Sequence, residues 1–557
     1  MLCLRRYWHT LRPVPVGRLG WRVWRRLRHY YQLTPVYGAM LERLPAPMGP
    51  QVQPPQLWPG DKAHGQDIID KNRFHFVGHA YDLADKSGAM NWEPSHASPL
   101  WLFHLHYWDF MADLRAVKTK QAQEKARMLA EDWLLSCDVY QPVIWHSYPT
   151  SLRLVNMLTY ADWILRDASP QLQEAYLHSL IRQATHLRHN MEWDLGENHL
   201  MKNIKALLYV AVCLPRDVDW FDQTLAWLKA ACQEQIGPEG MHCERSPSYH
   251  VQVLIDLLDV QALLRKARYA VPHWLEAEIE NMGQMLACLR HPDGGLALMN
   301  DGAMGDAALL DVVQKKAGAT RWQGAMATTD GFVTAKTKQA YLLADVGGVS
   351  PARNPGHAHA QALCFEYSYG TQRVFVNRGT YGYQHARRHE LRSTAAHNAL
   401  TIEDANHTDV WSHFRVGKRP RVWADTEGLT TKLMAFSGGH NGYKAYGIQH
   451  TRHWQLAADG SLTGRDVLTG RHPRKVRVYF HLHPDVRYRQ RDEQAIQLKL
   501  PDGQTLVFKV DGGRLFSQPT TYAPQFGVFE KTTVLVIQAR SVRGEKVIHW
   551  HLGTTSK

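Results

Sequence analysis

The chain has no CxxC pair, and its seven cysteines (3, 137, 213, 232, 243, 288 and 364) are scattered and odd in number. That excludes a thiolate zinc ribbon and argues against a disulfide framework. No apolar run is long enough to span a bilayer. The opening Met1-Leu2-Cys3-Leu4-Arg5-Arg6 reaches charge before any apolar h-region of a secretory signal. The expected location is therefore cytoplasmic or inner-membrane-associated rather than secreted. No recognition-helix, zinc-finger or RNA-binding signature is present, so nucleic acid is not an expected partner. No fixed-period repeat is visible either.

What is present is size, aromatic content and positive charge. A chain of 557 residues exceeds one core and implies two or more domains. With 44% hydrophobic and 21% charged residues it reads as globular. Its 19 Trp and 23 Tyr offer flat apolar faces with polar edges, suited to sugar rings as well as to packing. A net charge of +13 attracts polyanions, whether nucleic acid, acidic lipid or acidic polysaccharide.

The N-terminal 60 residues form a basic segment and a connector. Arg18 to Arg28 is basic and carries Trp at helical spacing. Two readings stand: an amphipathic helix docked on the main domain, which is preferred, or peripheral contact with an anionic membrane. Residues 34 to 60 are Pro-rich and read as an extended connector.

From about residue 97 to 320 the apolar period is helical. Leu105, Trp108, Phe110, Met111 and Leu114 keep one face apolar, as do Leu200, Ile204, Leu207, Leu208 and Val212. Short links between such runs suggest helical hairpins stacked into an arc or ring. After about residue 335 the period becomes two. Residues 362–369 and 373–376 read as a hairpin around Gly370, and Pro501-Asp502-Gly503-Gln504 as a turn between two strands. Many short strands imply an antiparallel sandwich. The expected domains are the N-terminal segment (1–60), a helical domain (61–330) and a β domain (335–557).

Three clusters carry chemistry. In Gly356-His357-Ala358-His359, on a segment of strand character, the two histidines point to one side, and His397 on a later turn can join them. Three imidazoles are a metal or proton-transfer pattern; the alternative is scattered surface histidines in a chain with 32 of them. Glu197-Asn198-His199 opens a helix, with Asn198 where an N-cap stands. The third cluster is Glu244-Arg245-Ser246-Pro247-Ser248-Tyr249-His250, in which Ser246-Pro247 reads as a cap and first turn.

These motifs, with Leu105-His106-Tyr107, Tyr148-Pro149-Thr150-Ser151-Leu152-Arg153, Gly379-Thr380-Tyr381 and Arg392-Ser393-Thr394-Ala395-Ala396-His397-Asn398, stand in the order of the heparinase II/III-like polysaccharide lyases. The chain resembles that family over most of its length. The resemblance implies an incomplete (α/α) toroid followed by an antiparallel β-sandwich, which agrees with the change of period. It implies β-elimination in a uronate-containing polysaccharide: a base takes the C5 proton, the C4–O bond breaks, and the sugar carboxylate is neutralised by donors. By resemblance Asn198 and His199 contact the carboxylate, with His199 also a candidate base. Tyr249 is the acid at the leaving oxygen and, with a lowered pKa favoured by Arg245 or a histidine, a second candidate base. His357 completes the site from the β domain. Arg153, Glu244, Arg245, His250 and Arg392 are the implied substrate-binding residues. Some relatives hold zinc through residues matching His359, Asn377 and His397, but Asn377 and Gln361 stand where the family commonly has Asp, which weakens a zinc site. No cofactor is required by the chemistry. A non-catalytic acidic-glycan-binding protein is the alternative function, and a role in an exopolysaccharide or surface-glycan pathway is expected.

Overall fold

The computed structural model describes residues 2–85, 88–319, 324–430 and 433–554. The chain divides into two compact units that follow packing rather than chain order: residues 15–235 with 253–279, and residues 1–14 with 236–252 and 280–557.

The first unit is helical. Its helices begin where the sequence supplies caps: Asp61 accepts from the backbone N–H of Ala63 and His64, Thr119 from Ala122, and Ser169 from Leu172 with Pro170 at the first helical position. The helix Glu197–Cys213 is buried on nearly every side, because Ser147–Ile164, Pro170–His189 and Phe221–Gln235 all pack on it. The apolar set Leu105 to Leu114 is wholly buried, but on two helices. Pro99–Tyr107 and Phe110–Val117 are separated by Trp108, which adopts a left-handed φ of 65°. The 34–60 stretch is not all extended, since Pro35 starts the helix Pro35–Glu42. Among the described residues, no helix is long and apolar enough to cross a membrane.

The second unit is dominated by antiparallel sheets of eight, five and four strands. The strands Ile448–Leu456 and Leu462–Gly470 alternate buried and exposed positions, as a sheet with one face in the core requires. Phe365–Tyr369 is buried on both faces and lies inside the five-stranded sheet. Its Phe365 ring stacks on Trp550, centroids 5.4 Å apart, in a core that also holds Phe375, Phe480 and Phe508. The hairpin Phe365–Tyr369/Gln372–Phe375 turns at Gly370 with φ 58°, and Ala495–Lys499/Thr505–Asp511 turns through Pro501-Asp502-Gly503. One strand expectation fails. Residues 357–359 belong to no strand. They lie on an irregular loop, because their side chains and backbone are spent on a polar network.

Candidate active site

That network centres on Asp301, which follows Asn300 at a left-handed φ of 55°. The Asp301 carboxylate is fully buried and accepts from His357 Nδ1 (2.9 Å), His359 Nε2 (2.8 Å) and the Thr380 hydroxyl (3.1 Å). Arg388 grips it with both terminal nitrogens, the Nη2–Oδ2 contact being 2.6 Å. Burial pushes the Asp301 pKa up, but Arg388 and the two histidines overcome it and hold the carboxyl well below its ordinary range. A carboxylate only accepts, so His357 donates its Nδ1–H and leaves its chemistry to Nε2. The backbone is braced the same way: Asn300 Oδ1 accepts from His359 N (3.0 Å), and the Asp301 N–H donates to His357 O (3.2 Å).

Tyr249 sits on the first turn of the helix Pro247–Lys266. Pro247 opens that helix as expected, while the Ser246 hydroxyl donates to Asp301 O (3.0 Å). The Tyr249 ring lies against His357, centroids 4.2 Å apart, and its hydroxyl is hydrogen-bonded to that of Tyr383. Burial, with Tyr383, Glu244 and Asp301 nearby, drives the Tyr249 pKa well above its ordinary value. The expected lowering by Arg245 is absent, and Tyr249 is held as the neutral phenol.

In the helical unit, Asn198 and His199 occupy the first turn of Glu197–Cys213. The N-cap is Gly196, not Asn198. Gly196 has φ 68° and ψ −145°, a backbone conformation that favours glycine. Asn198 is nearly enclosed. His199 pairs through Nδ1 with Glu192 Oε1 at 3.0 Å and packs on Tyr148, centroids 4.5 Å apart. Glu192 also accepts from Asn203 Nδ2 (3.3 Å), and His146 Nε2 stands 3.9 Å from it. Burial raises the Glu192 pKa, but His199, His146 and Arg25 prevail and bring it to about 2.

Four of the expected substrate-binding residues are structural instead. Arg153 is fully buried, donating to Gln183, the carbonyls of His106 and Ile144, and Thr150. Arg392 is equally buried and clamps the loop that carries His357 and His359, donating to the carbonyls of Ala358, Ser412 and His413. Arg245 pairs with Asp345 at 2.5 Å and donates to the carbonyl of Gly348. His250 is buried with Nε2 on Met282 O (2.9 Å). Glu244 is buried too, and acts electrostatically on Tyr249 and His242.

The zinc set does not fit. His359 Nδ1 and His397 Nε2 face each other at 3.2 Å, but His359 Nε2 is held by Asp301 and His397 Nδ1 by Ser393 O. Asn377 turns its amide nitrogen to the sulfurs of Met299 (3.5 Å) and Cys364 (3.7 Å), and its Oδ1 accepts from Asn398 N. Among the described residues no three His, Cys, Asp or Glu side chains gather as a metal site would need. Gln361, at the other altered position, donates to Asp345 and accepts from Asn300 N. Asp301, Tyr383, Arg388 and Glu192 were not read from sequence; Asn300-Asp301-Gly302 is locally no more than a turn-forming triplet.

Known proteins share this architecture. A heparinase III structure matches with a TM-score of 0.76 at 14% identity, over 93% of this chain and 89% of that one. The heparan sulfate lyase HepC from Pedobacter heparinus matches with a TM-score of 0.61 at 16% identity, over 90% and 84%. In sequence, FtsZ-localized protein C of Caulobacter vibrioides (strain NA1000 / CB15N) is 24% identical over 533 residues, 91% of each chain. The family model for the heparinase II/III N-terminus matches residues 61–320, and the heparinase II/III-like C-terminal model matches 319–551. Between them these two matches run from residue 61 to residue 551, and the chain belongs to the heparinase II/III-like polysaccharide lyase family.

Proposed function

We propose that the chain cleaves a uronate-containing acidic polysaccharide by β-elimination. The observation that carries this reading is a neutral Tyr249 phenol packed at a tilt against a histidine whose Nδ1 is held by a buried carboxylate. A glycan-binding module needs no such proton-transfer set. Tyr249 gives its proton to the leaving C4 oxygen, and the hydroxyl of Tyr383 stands ready to pass a proton to it. The helical unit by itself offers a base: His199, its Nδ1 anchored on Glu192, has Nε2 left to take a C5 proton. The C5–H electron pair becomes the C4–C5 double bond as the C4–O bond breaks. Asn198, in the first turn of the same helix as His199, offers an amide donor for the sugar carboxylate, whose charge otherwise makes the C5 proton poorly acidic. The raised Tyr249 pKa supports the acid role and disfavours Tyr249 as the resting base.

The relative named for its localisation with FtsZ supports a role in the cell's own surface-glycan pathway over scavenging of imported polymer. The alternative is a non-catalytic acidic-glycan-binding protein. Incubation with a panel of uronate polymers, read by ultraviolet absorbance of the new double bond and by mass spectrometry, separates the two. Tyr249→Phe is expected to lose turnover about a thousandfold while keeping polymer affinity. Absence of turnover by the unaltered protein on every uronate polymer overturns the lyase reading.

A further inference from the structure

The helix Val16–Gln32 is docked inside out. On one side Arg18 donates to Leu195 O (2.9 Å) and pairs with Glu197 (3.1 Å), Arg25 pairs with Asp194 (2.8 Å), His29 bonds Tyr140 (2.9 Å) and Gln32 bonds Asn190. These positions recur every three or four residues and make a polar face turned into the helical unit. The opposite face holds Val16, Gly20, Val23, Trp24, Leu27, Tyr30 and Tyr31, and it is in solvent: Val23 and Leu27 are each 60% exposed and Tyr30 69%. The helix is docked as expected, but through its polar face. An amphipathic helix normally buries the face that this one leaves open.

The helix Leu2–Leu11 repeats the arrangement within the other unit. Arg6 pairs with Asp409 (2.9 Å) and Thr10 donates to Val416 O (3.1 Å), while Leu4, Trp8 and Leu11 are exposed on one helical face. Residues 1–41 contain eight arginines and no acidic residue. Arg5, Arg12 and Arg26 are exposed.

We infer that the apolar face of Val16–Gln32 rests on an anionic lipid surface. Two features select lipid over a protein partner. Trp and Tyr are the side chains that favour the headgroup boundary. The arginines keep their charge among anionic headgroups while their stems lie along the apolar layer. The helix lies on the membrane and does not cross it.

Flotation of the full chain with vesicles tests this. It should float with phosphatidylcholine–phosphatidylglycerol vesicles, less at raised salt, and not with phosphatidylcholine alone. The double variant Trp24→Ser/Leu27→Ser should bind about a hundredfold more weakly. Its thermal melting should be unchanged, because both side chains are in solvent. No flotation, equal flotation with neutral vesicles, or flotation undiminished in the variant overturns the inference. So does self-association abolished by the variant in a chain that does not float, which assigns the face to a second copy.

Discussion

Each unit builds a histidine on a buried carboxylate, and the two differ in what holds the carboxylate. His199 and His357 both spend Nδ1 on the acid, with their side chains 28% and 17% exposed. Glu192, behind His199, is supported by histidines and an asparagine, with Arg25 contributing only through its charge. Asp301, behind His357, is gripped by Arg388, a permanent cation, and serves His359 and Thr380 besides. One carboxylate is tuned by titratable neighbours. The other is a structural hub that also orients a histidine.

Removing each acid should expose that difference. Asp301→Asn leaves buried Arg388 without its counter-charge, and we expect a loss of about 3–5 kcal/mol in urea unfolding together with loss of turnover. Glu192→Gln should separate the two effects: turnover falls about a hundredfold, while stability falls by only about 1–3 kcal/mol. Equal destabilisation by both variants would erase the contrast.

Acid sharpens it further. The folded pKa of Glu192 lies at about 2, below its ordinary 4.5. Its contribution is therefore complete above pH 4.5 and lost as the pH falls toward 2. The stability gap between the unaltered chain and Glu192→Gln should close over that window when unfolding midpoints are measured against pH. The smallest effect is expected from metal. Since Asn377 is turned to sulfur and Asp301 occupies His359, a chelator should leave the melting temperature unchanged, and added zinc should not raise it. A rise with zinc would mean that His359 and His397 recruit a further ligand.

The fold was largely legible in the sequence because period and turn chemistry are local. The 3.6-residue recurrence of Leu200 to Val212 and the turns at Gly370 and Gly503 each depend on neighbouring residues. The site was legible only in part. Tyr249, His357 and His199 stand in short motifs, and the structure gives each a partner suited to proton transfer. The arginines misled because Arg on a motif reads as a ligand for carboxylate, whereas Arg153 and Arg392 satisfy backbone carbonyls inside the protein. Asp301 was invisible because its partners lie 56 to 87 residues away in sequence.

By itself, the sequence determined the helical and strand halves, the family and the basic, aromatic N-terminus, all carried by composition, period and short motifs. Tertiary structure alone decided which acid backs each histidine, which arginines are structural, that Asn377 faces sulfur, and that Val16–Gln32 turns its charged face inward. The physical reason is that desolvation and pairing belong to a place, not to a residue: an arginine is stabilised wherever acceptors surround it, and only folding brings those acceptors together.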